Sequence, residues 1–167
     1  MLFRSDAAKG TWQYSSDGTT WTALGSVSAA SSAVTLKSTD QLRFVPAANF
    51  NGAAPTLTVA LIDSSTTVTT AATVDASTRG GTSAFSSSTV TLSHSVSAVN
   101  DAPVASGSAT LTADAEDTAA TSVTTSTVST LFSGNFSDAT DNVTGGSSAN
   151  TLAGVAITSY TADAAKG

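Results

Sequence analysis

The sequence predicts an all-β protein, and three observations carry this prediction. Ser, Thr, Ala and Val dominate the 167 residues, whereas only 11% are charged, well below the roughly 25% of an ordinary domain. Thr and Val favour pleated, half-buried strands, and Ser and Gly supply turns. Short alternating segments recur between turn signals, which is typical of a β-sandwich. A hydrophobic content of 40% argues against a disordered Ser/Thr tract.

Alternation of apolar and polar positions defines the strands of the first hundred residues. Trp12 and Tyr14 share a face, and Ser16-Asp17-Gly18 is a hairpin signal. Pro46 ends a later strand, and the segment 64–88 is either a long loop or a weak hairpin. The predicted strands are 11–15, 20–24, 33–36, 41–45, 56–63 and 88–98.

A joint between two β domains is predicted at residues 97–103, Ser-Ala-Val-Asn-Asp-Ala-Pro. This stretch closes an alternating strand, and Pro103 prevents its continuation. Beyond the joint, strands are expected at 109–111 and 154–162, with a strand or one helical turn at 128–132. The loops between them, 113–117 and 135–142, are acidic.

A short internal repeat sets the expected domain boundaries. Asp6-Ala-Ala-Lys-Gly10 recurs as Asp163-Ala-Ala-Lys-Gly167, an offset of 157 residues. We interpret the offset as one full period of a tandem array that is cut mid-repeat. Residues 1–101 are then the C-terminal portion of one repeat, with 1–5 artefactual, and residues 102–167 are the truncated N-terminal portion of the next. The second portion is expected to be loose or partly folded, because it lacks its hydrophobic half.

Charge is distributed unevenly along the chain. Residues 1–100 carry five acids and five bases, whereas residues 101–167 carry seven acids and only Lys166. This acidic part repels nucleic acid and anionic lipid, so both are excluded as partners. The absence of Cys excludes disulfides and thiolate zinc sites. No apolar run approaches the ~20 residues of a membrane span.

Five motifs, in order along the chain, resemble a known repeat. They are Gly10-Thr-Trp-Gln-Tyr-Ser15, Asp17-Gly-Thr-Thr-Trp21, Leu42-Arg-Phe-Val-Pro46, Asn49-Phe-Asn-Gly52 and Ala98-Val-Asn-Asp-Ala-Pro103. This pattern is similar to the cadherin-like tandem repeat of very large bacterial surface proteins, including RTX-type adhesins. The resemblance implies an immunoglobulin-like (cadherin-like) β-sandwich, export to the cell surface or secretion, neighbouring repeats as partners, and calcium at the joints. The family often has Asp-x-Asp where this chain has Asp138-Ala-Thr-Asp141.

A calcium (Ca²⁺) site at the joint is the resulting expectation. Calcium takes six to eight oxygen ligands, mostly carboxylates and carbonyls. We expect Asp101, Asp138 and Asp141 to share one ion, with an oxygen from Asn100. Glu116 and Asp117 would serve a neighbouring joint, and Asp63 ends a strand and could reach an end of the first domain. The alternative is that Asn-Asp-x-Pro is a simple turn and that the acids keep the loops soluble.

A structural role is the predicted function: a calcium-stiffened spacer in cell adhesion or biofilm attachment. The alternative is a glycan- or cell-binding module, in which Trp12, Tyr14 and Trp21 would stack on sugars; packing against the opposite sheet is the simpler role for these rings. An enzyme is not expected, because His94 is the only His, is predicted to be half-buried on a strand, and no Gly-x-Ser-x-Gly motif occurs.

Overall fold

The fold of this chain, taken from a computed structural model that describes residues 6–162, is built mainly from short antiparallel strands. One short α-helix accompanies them, so the predicted all-β class is confirmed. Met1–Ser5 and the second Asp-Ala-Ala-Lys-Gly copy lie outside the described residues. No helix among residues 6–162 is long and apolar enough to cross a membrane.

Two compact units divide the chain. The first extends to Val99 and includes the loop Val143–Ser147, and the second comprises Asn100–Asn142 and continues from Ser148. The change from one unit to the other after Val99 lies within the predicted joint. The assignment of the two parts to successive repeats stays a prediction.

The first unit contains nine strands. They are β1 (Gly10–Ser15), β2 (Thr22–Ala23), β3 (Ala33–Val34), β4 (Gln41–Pro46), β5 (Gly52–Ala53), β6 (Leu57–Ile62), β7 (Thr73–Val74), β8 (Phe85–Leu92) and β9 (Ser95–Val96). Strand β1 lies between β2 and β4, and its pairing with β4 runs without interruption from Gly10↔Pro46 to Ser15↔Gln41. The remaining pairs are β3 with β7, β5 with β9, and β6 with β8.

The ladders β5–β9 and β6–β8 follow one another along the same two chain segments. Between them, the Ala54 N–H donates to the His94 carbonyl oxygen at 2.9 Å, and an irregularity between Ala60 and Ile62 interrupts β6. His94 therefore lies in a break between β8 and β9 rather than within one continuous strand 88–98. Its side chain is exposed, so the prediction of a half-buried strand histidine is wrong.

Trp12 is the centre of the small core of the first unit. Its side chain is buried, and its ring centroid lies 5.5 Å from that of Phe44 and 6.3 Å from that of His94. The indole Nε1–H donates to the Pro55 carbonyl oxygen at 2.7 Å. Trp12 lies on β1, and Pro55 lies between β5 and β6. This bond therefore joins the β2–β1–β4 sheet to the chain segment that contributes strands β5 and β6.

The second unit has few regular elements. They are β10 (Val104–Ala105), α1 (Val128–Phe132) and β11 (Phe136–Ser137), with β10 and β11 paired antiparallel. Helix α1 resolves the ambiguity between a strand and a helical turn at 128–132, and the Thr127 Oγ1 caps it by accepting the Thr130 N–H at 3.0 Å. Asn135 supports the ladder by donating from Nδ2 to the Ser106 carbonyl oxygen at 2.6 Å.

Two predicted strands of the second unit are absent. Residues 109–111 and 154–162 form no strand, and Leu111 and Ile157 are exposed. Alternation alone does not make a strand, because its backbone groups need a partner strand. The predicted strands 20–24 and 33–36 do form, but each is reduced to two residues.

Candidate functional site

Two buried carboxylates define the candidate site, which lies in the second unit. Strand β11 ends at Ser137, and a single 3₁₀ turn, Ala139–Asp141, follows it. Asp138 precedes this turn and Asp141 closes it, and each side chain is only 5% exposed. They are the only fully buried side chains of the described part of this unit, which is unusual because Asp is rarely buried without a partner.

The two oxygens of Asp138 differ in their surroundings. Oδ2 accepts the backbone N–H of Asn150 at 2.5 Å. Oδ1 is buried and has no hydrogen-bond partner. A buried carboxylate oxygen without a partner is costly, so this atom needs a proton, a water molecule or a cation.

Asp141 accepts a backbone hydrogen bond from Asp101, a residue of the predicted joint. The Asp101 N–H donates to both carboxylate oxygens of Asp141, at 3.1 and 3.3 Å. Asp101 itself is half-buried. The structure therefore brings Asp101 and Asp141 together, with Asp101 contributing an N–H donor to this contact rather than a carboxylate; their sharing of an ion stays a prediction.

Asn150 is a residue of the site that the sequence did not indicate. Besides its contact with Asp138, it donates from Nδ2 to the Asn100 Oδ1 at 2.7 Å, and Asn100 donates in turn to the Asp101 carbonyl oxygen at 2.9 Å. Asn150 thereby connects the joint to the 138–141 turn. Its position after the Gly-Gly-Ser-Ser stretch marks only a loop, so no local signal could have identified it.

Electrostatics favour a cation at this position. Residues 100–162 contain no Lys, Arg or His, so the unit's own described sequence offers no counter-charge to its carboxylates. Within residues 6–162, however, no group of three His, Cys, Asp or Glu side chains is arranged to hold a metal ion. A site built on three carboxylates from Asp101, Asp138 and Asp141 is thus not formed here. The structure provides two buried carboxylates. A metal ion bound there would take its other oxygen ligands from carbonyl groups, amide groups or water.

The other predicted ligands lie elsewhere. Asp63 belongs to the first unit, where its Oδ1 accepts the Ser65 Oγ–H at 2.5 Å and the Ser65 N–H at 2.8 Å. These bonds lower the pKa of Asp63 and close a local turn. Glu116 and Asp117 are exposed in a turn, and Asp117 adopts a left-handed backbone with φ of 61°.

Two of the three aromatic residues proposed to stack on sugars, Trp12 and Trp21, make contacts within the first unit. Trp12 is buried, as the packing alternative expects. The Arg43 guanidinium lies 4.0 Å above the centre of the Trp21 ring, and its Nε donates to the Gln13 Oε1 at 2.8 Å. This cation–π contact covers one face of the indole.

Comparison of this chain with protein-family models, with curated proteins and with solved structures found no match. The site must therefore be interpreted from its own chemistry.

Proposed function

We propose that this chain is a calcium-stiffened structural repeat of a large bacterial cell-surface or secreted adhesin, acting as a spacer in adhesion or biofilm attachment. The observation that carries the proposal is the Asp138 carboxylate, which is buried beside no cationic residue of its own sequence segment and has an oxygen without a partner. The assignment to an adhesin rests on the five sequence motifs that resemble the repeat of bacterial surface proteins.

The donor set fits a hard cation. Calcium prefers carboxylate and carbonyl oxygens in a flexible arrangement and accepts water as a ligand, so two carboxylates suffice as its charged ligands. Asp138 would contribute Oδ1, and Asp141 would contribute an oxygen while holding the Asp101 N–H. Zinc would instead favour nitrogen and sulfur ligands, which residues 100–162 lack, since they contain no His or Cys.

The predicted joint would become stiffer because two of its residues take part in the hydrogen bonds of the site. Asn100 and Asp101 belong to the predicted joint, and both are hydrogen-bonded within the group that includes Asp138, Asp141 and Asn150. A cation at the two buried carboxylates would remove their charge repulsion and hold the 138–141 turn in place. The turn would then hold Asp101, and the joint would lose freedom to bend.

The immunoglobulin-like sandwich is part of this proposal. It is supported by the antiparallel pairing of all strands and by the Trp12–Pro55 bond between two sets of ladders. A glycan-binding role has less support, because Trp12 is buried and Arg43 covers a face of Trp21.

Calorimetric titration of the metal-free chain tests the proposal. Calcium should bind with measurable heat and raise the unfolding temperature, and magnesium should bind more weakly because it demands a stricter octahedral geometry. Asp138→Asn and Asp141→Asn should each abolish or strongly weaken binding. Asp114→Asn, at an exposed acid of the same unit that is not among the predicted ligands, is the matched control and should bind as wild type does. No calcium binding, or equal loss in the control, would remove calcium from the account.

A further inference from the structure

The β6–β8 ribbon of the first unit has an unfinished inner face. Directly opposed residues of an antiparallel pair point to the same side, so Leu57 and Leu92 share a face with Val59 and Val90. Leu57 is 4% exposed, which identifies this face as the inner one, yet Val90 remains 51% exposed. A cavity of about 140 Å³ lies beside β6, and its lining includes Leu57 and Val59 as well as Thr58 and Ala60.

Both edges of this ribbon are open and unprotected. Among the described residues, β6 and β8 pair only with each other. Natural edge strands are usually blocked by charged residues or proline. Neither Leu57–Ile62 nor Phe85–Leu92 contains a charged residue or a proline. A two-stranded ribbon is also marginal by itself, so a further strand would stabilise it.

The segment 154–160 has the complementary properties. Its sequence, Gly-Val-Ala-Ile-Thr-Ser-Tyr, alternates around Val155 and Ile157 and carries no charge. It forms no strand, and Ile157 and Tyr160 are 84% and 81% exposed. It is therefore an apolar strand sequence that lacks a partner strand.

The internal repeat identifies that partner. The pentapeptide that leads into β1, Asp6–Gly10, also stands directly after residue 162. Under the tandem-array interpretation of this match, the segment 154–160 would precede a second copy of the first unit. Its cognate acceptor is the ribbon of that second copy.

We propose that residues 154–160 of one molecule add as a strand to the β6–β8 ribbon of a second molecule of the same chain, with Val155 and Ile157 covering its exposed inner face. Main-chain hydrogen bonds to the open edge would supply affinity, and the alternating side chains would set the register. The contact is head-to-tail, so it generates chains or closed rings of molecules. It uses none of the residues of the calcium site, but it rests on the tandem-repeat part of the proposed function; the association measured in chelator can fail while calcium binding is retained.

Sedimentation of the full chain in the presence of a chelator tests this inference. Association should rise with protein concentration, and Ile157→Asp should weaken it on the order of tenfold or more, because a charge replaces a buried apolar side chain. Val99→Asp is the matched control, since Val99 is 81% exposed and lies outside both elements. A monomer at all concentrations, or equal weakening by both variants, would overturn the proposal.

Disulfide trapping identifies the contact itself, because the wild-type chain has no Cys. Val90→Cys and Ile157→Cys, made in separate molecules and mixed under oxidising conditions, should give a mixed dimer linked between these positions. Val90→Cys mixed with Val99→Cys should give far less. A double variant, V90C with I157C, that closes its disulfide within one molecule would show that the segment folds back on its own chain, and that result would also overturn the proposal.

Discussion

The backbone N–H of Asn150 and the Asp138 Oδ2 are joined by a hydrogen bond of 2.5 Å, while the second oxygen of the same carboxylate is buried without a partner. One oxygen of this side chain therefore has a protein donor, and the other has none. The asymmetry makes Asp138 the most informative position to change.

Asp138→Asn should change stability in opposite directions with and without calcium. In chelator, the variant should be more stable than wild type by about 1–3 kcal/mol, because it removes a buried charge that no protein cation compensates. In calcium, the wild type should be more stable than the variant, because binding adds about 4.1 kcal/mol to its own metal-free form when free calcium is 1,000 times the dissociation constant. Urea unfolding under both conditions measures the two differences. If the variant and wild type keep the same order in both buffers, Asp138 is not a metal ligand.

Trp12→Phe should destabilise the first unit, because it removes the Nε1–H bond to the Pro55 carbonyl oxygen and leaves that oxygen without its donor. Trp12→Ala should cost more, about 3–5 kcal/mol, the usual range for deleting a buried aromatic side chain. Denaturant unfolding followed by Trp21 fluorescence measures both effects. Trp21→Phe, followed by Trp12 fluorescence, is the control and should cost about 1 kcal/mol or less, because the Trp21 ring is only half-buried. Equal losses at the two positions would show that Trp12 is not central to the core.

Gly146→Ala should release the Val143–Ser147 loop from its place in the first unit. A Cβ at Gly146 would lie 2.2 Å from the Asn51 Oδ1, and that oxygen accepts the Ser147 N–H at 2.6 Å. The substitution must therefore displace one of these groups. Hydrogen exchange at the Ser147 amide should become faster in the variant.

Gly134→Ala is the matched control for this prediction, because no atom lies within 4 Å of a Cβ built at Gly134. Its Ser147 amide should exchange as in wild type. Unchanged exchange in Gly146→Ala would mean that the loop is not held by the Asn51 contact.

Asp17 should titrate below the usual range of an aspartate. Its Oδ1 accepts the Thr20 and Thr19 N–H groups at 2.7 and 2.8 Å and the Ser15 Oγ–H at 3.0 Å, and these bonds lower its pKa. A lowered pKa in the folded state means that the charged form stabilises the turn above the unfolded pKa of about 3.9, and that this contribution is lost as the pH falls through the folded pKa.

Ser15→Ala should raise the pKa of Asp17 toward its usual value, because it removes one of the three donors. Carboxyl chemical shifts followed across an acid titration measure the change. Ser16→Ala, at an exposed neighbour, should leave the Asp17 titration as in wild type. An Asp17 titration that is the same in all three proteins would show that the Ser15 hydroxyl does not stabilise the carboxylate.

The sequence by itself determined the β class and several of the main strands. Alternation located β1, β4 and β6 to within about one residue, since a strand with one buried face must repeat with a period of two, whereas the predicted strand 88–98 divides into β8 and β9. The Ser16-Asp17-Gly18 signal predicted the turn after β1, because it depends on bonds between near neighbours in the chain. That Asp101, Asp138 and Asp141 share a calcium ion stays a prediction.

Tertiary structure alone decided the rest. Whether an alternating segment becomes a strand depends on a partner strand distant in sequence, so residues 154–162 remain without strand structure although their pattern predicts a strand. The contribution of Asp101 through its N–H, the contacts of Asn150 and the unpartnered oxygen of Asp138 arise from distances between residues up to 50 positions apart. Residue type and spacing do not encode such distances, because they are set only when the whole chain has packed.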